Sequence, residues 1–339
     1  MSGNATFNLT DTAIVSVTHV DAPEVVPSTR FDEILAETYE RIGAQAGLLE
    51  SLAGIEERRW WPEGYLFTDA AAAAGAKAIE DSGVRVDEIG LLIDTSVCRD
   101  RLEPSSAVTV HHALDLPSWC LSFDLSNACL GFVSALQVAG NMIDSGQINY
   151  VLIVDGEGSR QLQEATLERL ASQDATLGDL FAEFASLTLG SGGAAAVIGR
   201  HSANPGSHKV VGGIGRADTS HHGLCVGDLG QMRTDTKSLL DAGLQLSKLA
   251  WIDAEELGWL DADRYIIHQV SQVHTRMLCE YLGIDMANVP LTFPFLGNVG
   301  PASIPITLSL EADSLEEGDK VLLLGIGSGI NTSAIELTW

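Results

Sequence analysis

Basic residues are scarce in this chain. Nineteen lysines and arginines stand against 46 aspartates and glutamates, a net charge of -27 over 339 residues. A surface this acidic repels phosphate backbones and excludes nucleic acid as a partner. It also argues against a broad basic face for an acidic carrier protein, and leaves solubility or adaptation to salt as its reason. Long apolar runs are missing as well, since no segment approaches the ~20 residues that span a bilayer. Residues 1–11 are polar and carry neither the basic nor the apolar region of a secretory signal. Cysteine is sparse: five residues, at 98, 120, 129, 225 and 279, show no CxxC spacing, which suits a reducing cytoplasm. His222-Gly223-Leu224-Cys225 offers two metal ligands, too few for a site, so no metal is expected.

Against these scarcities, 45% of the residues are hydrophobic, enough for a large core. The length fits two domains or one duplicated unit. Strand and helix signals alternate. Ala13 to Val17 reads as a strand, and about Phe31 to Ala46 as a helix. Asp69 is placed to cap an alanine-rich helix, Ala70 to Asp81, ended by Gly83. Asp87 to Asp94 holds the apolar centre of a buried parallel strand, and Pro104 opens a helix to Leu114. The class is therefore α/β. Arg58-Arg59-Trp60-Trp61 reads as a loop, free at the surface or able to meet coenzyme A by charge and stacking. Gly190-Ser191-Gly192-Gly193 lacks the Lys-Ser/Thr of a phosphate loop and reads as a tight turn between strands. Residues 201–236, rich in Gly and His, form a loop suited to cover a site.

The centre of the chain is Ser126-Asn127-Ala128-Cys129-Leu130-Gly131. It follows a short apolar strand, Trp119 to Leu125, and precedes a helix whose apolar face is Leu130, Val133, Leu136, Ala139, Met142 and Ile143. Gly146 closes that helix. Cys129 thus falls at a strand-to-helix turn, where free N–H groups and the macrodipole favour a thiolate. A buried structural thiol is the competing reading of this stretch alone.

The chain also repeats itself. Asn127 to Gly131, a helix, Val151-Leu152-Ile153-Val154 and Gly158-Ser159 recur as Gly297 to Gly300, a helix, Val321-Leu322-Leu323-Leu324 and Gly327-Ser328. The offset from Cys129 to Asn298, from Gly131 to Gly300 and from Gly158 to Gly327 is 169 residues each time. Leu91-Leu92-Ile93-Asp94 and Tyr265-Ile266-Ile267-His268 precede the two copies. Two halves, 1–188 and 189–339, related by a pseudo-twofold, would bring Cys129, His268 and Asn298 to one site.

At these residues the sequence resembles the thiolase superfamily, and within it the ketoacyl synthase III-like condensing enzymes. The resemblance covers nearly the whole chain. It implies a duplicated five-layer αβαβα fold and a triad of Cys129, His268 in Ile266-Ile267-His268-Gln269, and Asn298 in Gly297-Asn298-Val299-Gly300. A narrower likeness, carried by Arg99 to Pro104, His221 to Cys225 and Leu324 to Asn331, is to the olefin-pathway thiolases, which join two fatty acyl-CoA molecules head to head. In that branch the glutamate matched by Glu103 reaches across a dimer interface and acts as the condensation base, so a homodimer is expected. Two departures stand out. The Trp-x-x-x-Arg-Thr-Gly-Ile pattern that contacts CoA in initiating synthases is replaced by Leu48 and Leu52 before Gly54-Ile55, so those contacts are not carried over. The loop 222–233 is shorter than that branch leads one to expect.

The chemistry agrees with the resemblance. A thioester carbonyl suits a thiolate nucleophile, and the oxyanion would meet the N–H groups of Cys129 and, by resemblance, Ser328. His268 Nε2 and the Asn298 amide suit an enolate as neutral donors. Without a malonyl group no decarboxylation supplies the carbanion, so a base is required, and Glu103 takes that role in preference to capping a helix. The expected activity is a non-decarboxylative Claisen condensation of two fatty acyl-CoA to a β-ketoacyl-CoA, with CoA thioesters as substrates and no cofactor. The alternatives are a decarboxylating 3-oxoacyl synthase III using a malonyl thioester, an acyltransferase that forms no carbon–carbon bond, and a non-catalytic partner subunit.

Overall fold

The computed structural model describes residues 6–339, so the first five residues of the polar N-terminal stretch lie outside it. Among the described residues ten strands make one sheet: β1 (Thr6–Asn8), β2 (Thr12–Asp21), β3 (Ile89–Asp94), β4 (Leu121–Asp124), β5 (Tyr150–Glu157), β6 (Gly192–Arg200), β7 (His208–Ala217), β8 (Arg264–Ile267), β9 (Lys320–Gly327) and β10 (Asn331–Thr338). Their order is β8-β9-β10-β7-β2-β6-β5-β3-β4, with β1 added on β7. The path is two half-sheets joined at an edge, because β2 meets β7 through only two residue pairs, Ala13 with Lys209 and Ile14 with His208.

Each half repeats one pattern. In the first, β5 pairs parallel with β3 and antiparallel with β6, which pairs antiparallel with β2. In the second, β9 pairs parallel with β8 and antiparallel with β10, which pairs antiparallel with β7. The sheet pairing thus follows the 169-residue offset. It also carries the first half through β6 to Arg200, because β6 belongs with β5 and β2. Strand β6 lies past the expected 188–189 boundary and pairs with β5 and β2.

Helices fill three layers. Those used below are α1 (Phe67–Ser82), α2 (Ser106–Ala113), α3 (Gly131–Asp144), α4 (Arg160–Ala171), α5 (Leu177–Leu187), α6 (Thr236–Leu257), α7 (Gln272–Leu282) and α8 (Ser303–Glu311). Helices α3 and α8 lie between the half-sheets, where Leu136, Ala139, Ile304 and Leu308 join one core with strand residues from both halves. Helices α1 and α2 cover the outer face of the first half-sheet, and α6 and α7 that of the second. The result is the expected five-layer αβαβα thiolase fold. Burial nearly all round is why α3 and α8 carry so little charge.

Local details depart from the sequence reading. The Phe31–Ala46 helix is two short ones, Ser28–Ile34 and Ala36–Ile42. Helix α1 starts at Phe67, and its free N–H groups at Phe67 and Thr68 donate to Asp100, at 2.9 and 3.1 Å, not to Asp69. Asp100 arrives from a distant loop, which propensity along α1 does not reveal. Arg58, Trp60 and Trp61 form no surface loop. All three are buried, with Arg58 donating to Val26 O, Ser28 Oγ and Leu187 O, and Trp60 to Gln163 Oε1. They hold the strand Glu57–Trp60 against α4 and α5 and are not available to coenzyme A.

Gly131 fixes the depth of α3. A Cβ there would lie 2.5 Å from the Thr95 carbonyl oxygen, which follows β3. Gly131→Ala is therefore expected to cost about 1–3 kcal/mol through overpacking, read as a lower urea midpoint. Gly178→Ala in α5, where the nearest atom is Thr176 Oγ1 at 3.5 Å, should be neutral or stabilise by up to about 1 kcal/mol.

Candidate active site

Ala128 takes a left-handed conformation, φ 45°, which non-glycine residues adopt only under constraint. The turn is closed by Leu130 N–H donating to Asn127 O at 2.9 Å and Gly131 N–H to Ala128 O at 3.2 Å. This throws Cys129 off the end of β4 onto the threshold of α3. The second half repeats the device: Gly297, 169 residues on, has φ 69° and precedes Asn298. Asn298 is held on both sides, its N–H donating to Thr188 O and its carbonyl accepting from Gly190 N–H, each at 2.9 Å. Its side-chain Oδ1 accepts from Gly300 N–H at 3.0 Å, which leaves Nδ2 as the free donor. The Gly190 segment is therefore a clamp on Asn298, not a hairpin turn. A Cβ at Gly190 would lie 1.7 Å from Leu296 O, so only glycine allows this approach.

His268 extends β8, its backbone N–H donating to Leu324 O at 2.8 Å. The next residue, Gln269, donates to Ile267 O and Pro290 O and accepts from Thr292 and Phe293 N–H groups. That four-bond lock fixes the backbone carrying His268. The imidazole is buried, with Nδ1 lacking a partner among the described residues. Burial first, and then His274, push its pKa down to about 4, so it is neutral near pH 7. His274 on α7 is likewise pushed down to about 4 by burial, and shares a 2.7 Å hydrogen bond between Nδ1 and Ser271 Oγ. Ser328 begins the turn joining β9 to β10. The turn packs against the cysteine segment, since a Cβ on Gly327 would lie 3.4 Å from Asn127 O.

Cys129, His268, Asn298 and Ser328 all line one cavity of about 1340 Å³. That exceeds the ~300–1,000 Å³ of ordinary small-molecule sites. Its walls are mainly apolar, with Leu52, Phe181, Phe184, Met232 and Leu239 among them. The hairpin of Cys225–Gly227 and Met232–Thr234 closes one side; of the stretch 201–236 read as a covering loop, only this later part reaches the cavity, and His208–Ala217 is instead strand β7 of the central sheet. Arg169 clasps that hairpin by donating to Gly230 O at 2.7 Å, and Gln231 donates to Glu183 at 3.0 Å.

The thiol itself differs from the sequence argument. Burial first, then Cys225, Glu157 and Asp155, push Cys129 up to about 12. Glu103 is not brought to the cavity of its own chain. It lies on an exposed segment, Arg101 to Pro104, whose Arg101 and Leu102 reach the cavity rim. The sequence also missed Glu157, a buried carboxylate in the cavity wall. An acid closing the apolar run Val151–Val154 looks like a strand end at the surface, and only its odd-numbered register with Asp155 hinted otherwise.

With this geometry in view, the comparisons place the chain. Family profiles described as 3-oxoacyl-[acyl-carrier-protein] synthase III and its C-terminal domain match residues 123–212 and 252–339. The chain belongs to this family of thiolase-fold acyl-condensing enzymes. Within it, the chain is 42% identical, over 96% of its length and 98% of the relative's, to the acyl-CoA:acyl-CoA alkyltransferase of Xanthomonas campestris pv. campestris. It is 34% identical to the enzyme of that name from Shewanella oneidensis, over 96% of this chain and 98% of that one. A β-ketoacyl-[acyl-carrier-protein] synthase III from Cereibacter sphaeroides is 29% identical, over 95% and 97%. Among crystal structures, Xanthomonas campestris OleA with a cysteine replaced by serine, bound to lauric acid and lauroyl-CoA, superposes with a TM-score of 0.96 and 41% identity, covering 98% of this chain and all of that one. Forms of the same OleA with a glutamate or a histidine replaced superpose equally well.

Because His268 has a lower pKa folded than unfolded, the fold binds fewer protons between about pH 4 and 6.5. Its stabilising share is present above the unfolded value and is lost as pH falls through that window. Between pH 7 and 5 the wild type should lose up to about 2 kcal/mol more stability than His268→Asn, measured by urea unfolding at both pH values.

Proposed function

We propose that this protein joins two fatty acyl-CoA molecules by a non-decarboxylative Claisen condensation, through an acyl-enzyme on Cys129. The observation that carries the reading is the convergence of Cys129, His268, Asn298 and the Ser328 turn on one large apolar cavity. It is supported by kinship over nearly the whole chain with acyl-CoA:acyl-CoA alkyltransferases. Kinship to the decarboxylating synthases is weaker.

In the first half-reaction Cys129 attacks a thioester carbonyl. The new oxyanion is met by the N–H groups of Cys129 and Ser328, and CoA leaves. In the second, another acyl-CoA loses an α-proton, and its enolate oxygen is held by His268 and Asn298 Nδ2. Both are neutral donors here, so they stabilise the enolate without first losing a proton. The carbanion attacks the acyl group on Cys129, giving the β-ketoacyl-CoA and expelling the sulfur, which regains a proton in place of the one taken from the α-carbon. Substrates alone carry this chemistry, and no cofactor is required. The five cysteines are all unpaired, in keeping with a cytoplasmic protein. Among the described residues, no helix is long and apolar enough to cross a membrane.

The base for the second step is Glu103 of a partner subunit. Its segment, on which Leu102 is 96% exposed, lies near a sheet edge where Leu121 is 52% exposed and Trp119, just before the strand, is 65% exposed. An apolar, unpaired edge strand of this kind is a template for another strand. Pairing β4 with its copy would form a homodimer and carry each Glu103 toward the neighbouring cavity. In the Xanthomonas OleA variants the replaced glutamate precedes the replaced cysteine by 26 positions. Glu103 precedes Cys129 by the same 26. The segment is also braced: Arg99 pairs with Asp124, and Asp124 accepts from Ser106 and Ala107 N–H groups at the start of α2.

With a C10 to C16 acyl-CoA as sole substrate, the enzyme should release CoA and form a β-ketoacyl-CoA, or the ketone left by its decarboxylation, seen by mass spectrometry. A product that required malonyl-CoA would return the protein to the decarboxylating synthases. Cys129→Ala should lose at least about a thousandfold in turnover. Glu103→Ala should still acylate Cys129, visible as a mass increment on the protein, while condensation falls by about 10²–10⁴. Normal condensation in that variant would remove Glu103 from the mechanism.

A further inference from the structure

The second half-reaction depends on a residue that stands clear of its own subunit. Residues 101–104, with Glu103 among them, are exposed and make no hydrogen bond among the described residues. A base that removes an α-proton must nevertheless be held within hydrogen-bond reach of it. An error of about 1 Å can cost about a hundredfold in rate. The position of Glu103 is therefore set by what anchors the chain on either side of it.

Both sides are anchored. Before the arch 101–104, Val97 and Cys98 N–H groups donate to Glu157 Oε1 at 2.5 and 3.4 Å. Asp100 accepts from the Phe67 and Thr68 N–H groups at the start of α1, and from the Thr68 hydroxyl at 2.7 Å. The two feet of the arch then meet on one side chain. Asp124, the last residue of β4, accepts from the Arg99 guanidinium and from Ser106 N–H on Oδ2, the latter at 3.1 Å, and from Ala107 N–H on Oδ1 at 2.8 Å. Arg99 stands four residues before Glu103, and Ser106 three after it. The Asp124 side chain is 11% exposed, so water and salt do little to weaken these charge-assisted bonds.

Strand β4 also carries the edge that faces a neighbour. Leu121 and Phe123 leave it on the exposed face, and Ser122 and Asp124 on the other. The strand offered for pairing with its copy is thus the strand that ties down the arch.

We propose that Asp124 is a positioning residue for the condensation step, holding the arch 101–104 of its own chain so that Glu103 reaches the α-carbon of an acyl-CoA in the neighbouring cavity. The proposal rests on the reading of Glu103 as a base that acts across the interface, and adds the residue that aims it. Asp124 is not among the residues that line the cavity, so it acts through Glu103 and not on substrate.

A carboxylate is needed in this place. Asp124 uses both oxygens as acceptors, whereas asparagine has one acceptor oxygen. Asp124→Asn therefore keeps Ala107 or the Arg99 and Ser106 pair, but not both, and turns an NH2 toward donors on the side it gives up. The charge that draws Arg99 is lost as well. One foot of the arch is released, while none of the hydrogen bonds that hold His268 and Asn298 involves Asp124.

The test separates the half-reactions, with decanoyl-CoA as substrate. Acylation of Cys129 is followed by intact mass, and condensation by β-ketoacyl-CoA formation. Asp124→Asn should acylate within about twofold of wild type and lose about a hundredfold in condensation. Equal losses in both steps would overturn the proposal, as would wild-type condensation in Asp124→Asn when Glu103→Ala has lost it. Mixed dimers add a readout that general damage would not give. In a dimer of Asp124→Asn with Cys129→Ser, the cysteine nucleophile lies in the first chain and is served by Glu103 of the second, whose arch is intact. Condensation should return there. It should not return in Asp124→Asn mixed with Glu103→Ala, where the remaining Glu103 stands on the released arch. An inactive first mixture, beside a recovered mixture of Cys129→Ser with Glu103→Ala, would overturn the proposal. Failure of that control mixture too, or normal condensation by Glu103→Ala alone, would overturn the reading of Glu103 and the proposal with it. If Asp124→Asn does not fold, Arg99→Met, which frees one foot from the same carboxylate, replaces it in both mixtures with the same expected outcomes.

Discussion

The whole site hangs on one turn of backbone. Ala128 is held at positive φ because Asn127 and Leu130 close the turn on one side, and because α3 is pressed against β3 at Gly131 on the other. Strain of this kind persists only where the surroundings over-determine it. Here they do so twice, since Gly297 makes the same excursion before Asn298 in the second half. Leu130 then fills the space left by Gly325 and Gly327 on β9, so the strand leading to Ser328 seats against the residue that follows the nucleophile. The two halves are locked where the chemistry occurs.

That arrangement sets the electrostatics. The cavity is large and mainly apolar, and burial dominates its deepest titratable groups. It pushes both imidazoles down, the thiol up, and the acids at the ends of β3 and β5 up. A site of neutral donors and reluctant acids is suited to negative charge that appears on a substrate oxygen and leaves again. It does not suit a standing thiolate.

Much of this was legible in the sequence. The 169-residue offset predicted that Cys129, His268 and Asn298 would meet, and the parallel and antiparallel pairings of β5 and β9 follow that offset. What was not legible depends on contacts made at long range. Asp100 displaces Asp69 as the anchor of α1, Arg58 is buried by three acceptors from separate segments, and Gly190 clamps a residue more than a hundred positions away. The surroundings of Cys129 are hidden for a related reason. A helix start is visible in sequence, but the burial that pushes the thiol up, and the neighbours Cys225 from the covering hairpin and Glu157 and Asp155 from β5, are not. Trp119 and Leu121 read as apolar strand residues, yet they are exposed, and it is this exposure that points to a second subunit.

The central claim is that each cavity is one chain's Cys129 completed by another chain's Glu103. Mixing Cys129→Ser subunits with Glu103→Ala subunits, each inactive in condensation, tests it directly. If Glu103 acts across the interface, mixed dimers contain one intact site, and condensation should return to as much as half of wild-type activity per mixed dimer. If the mixture stays as inactive as its parents although mixed dimers form, Glu103 does not serve the neighbouring cavity and the account is contradicted.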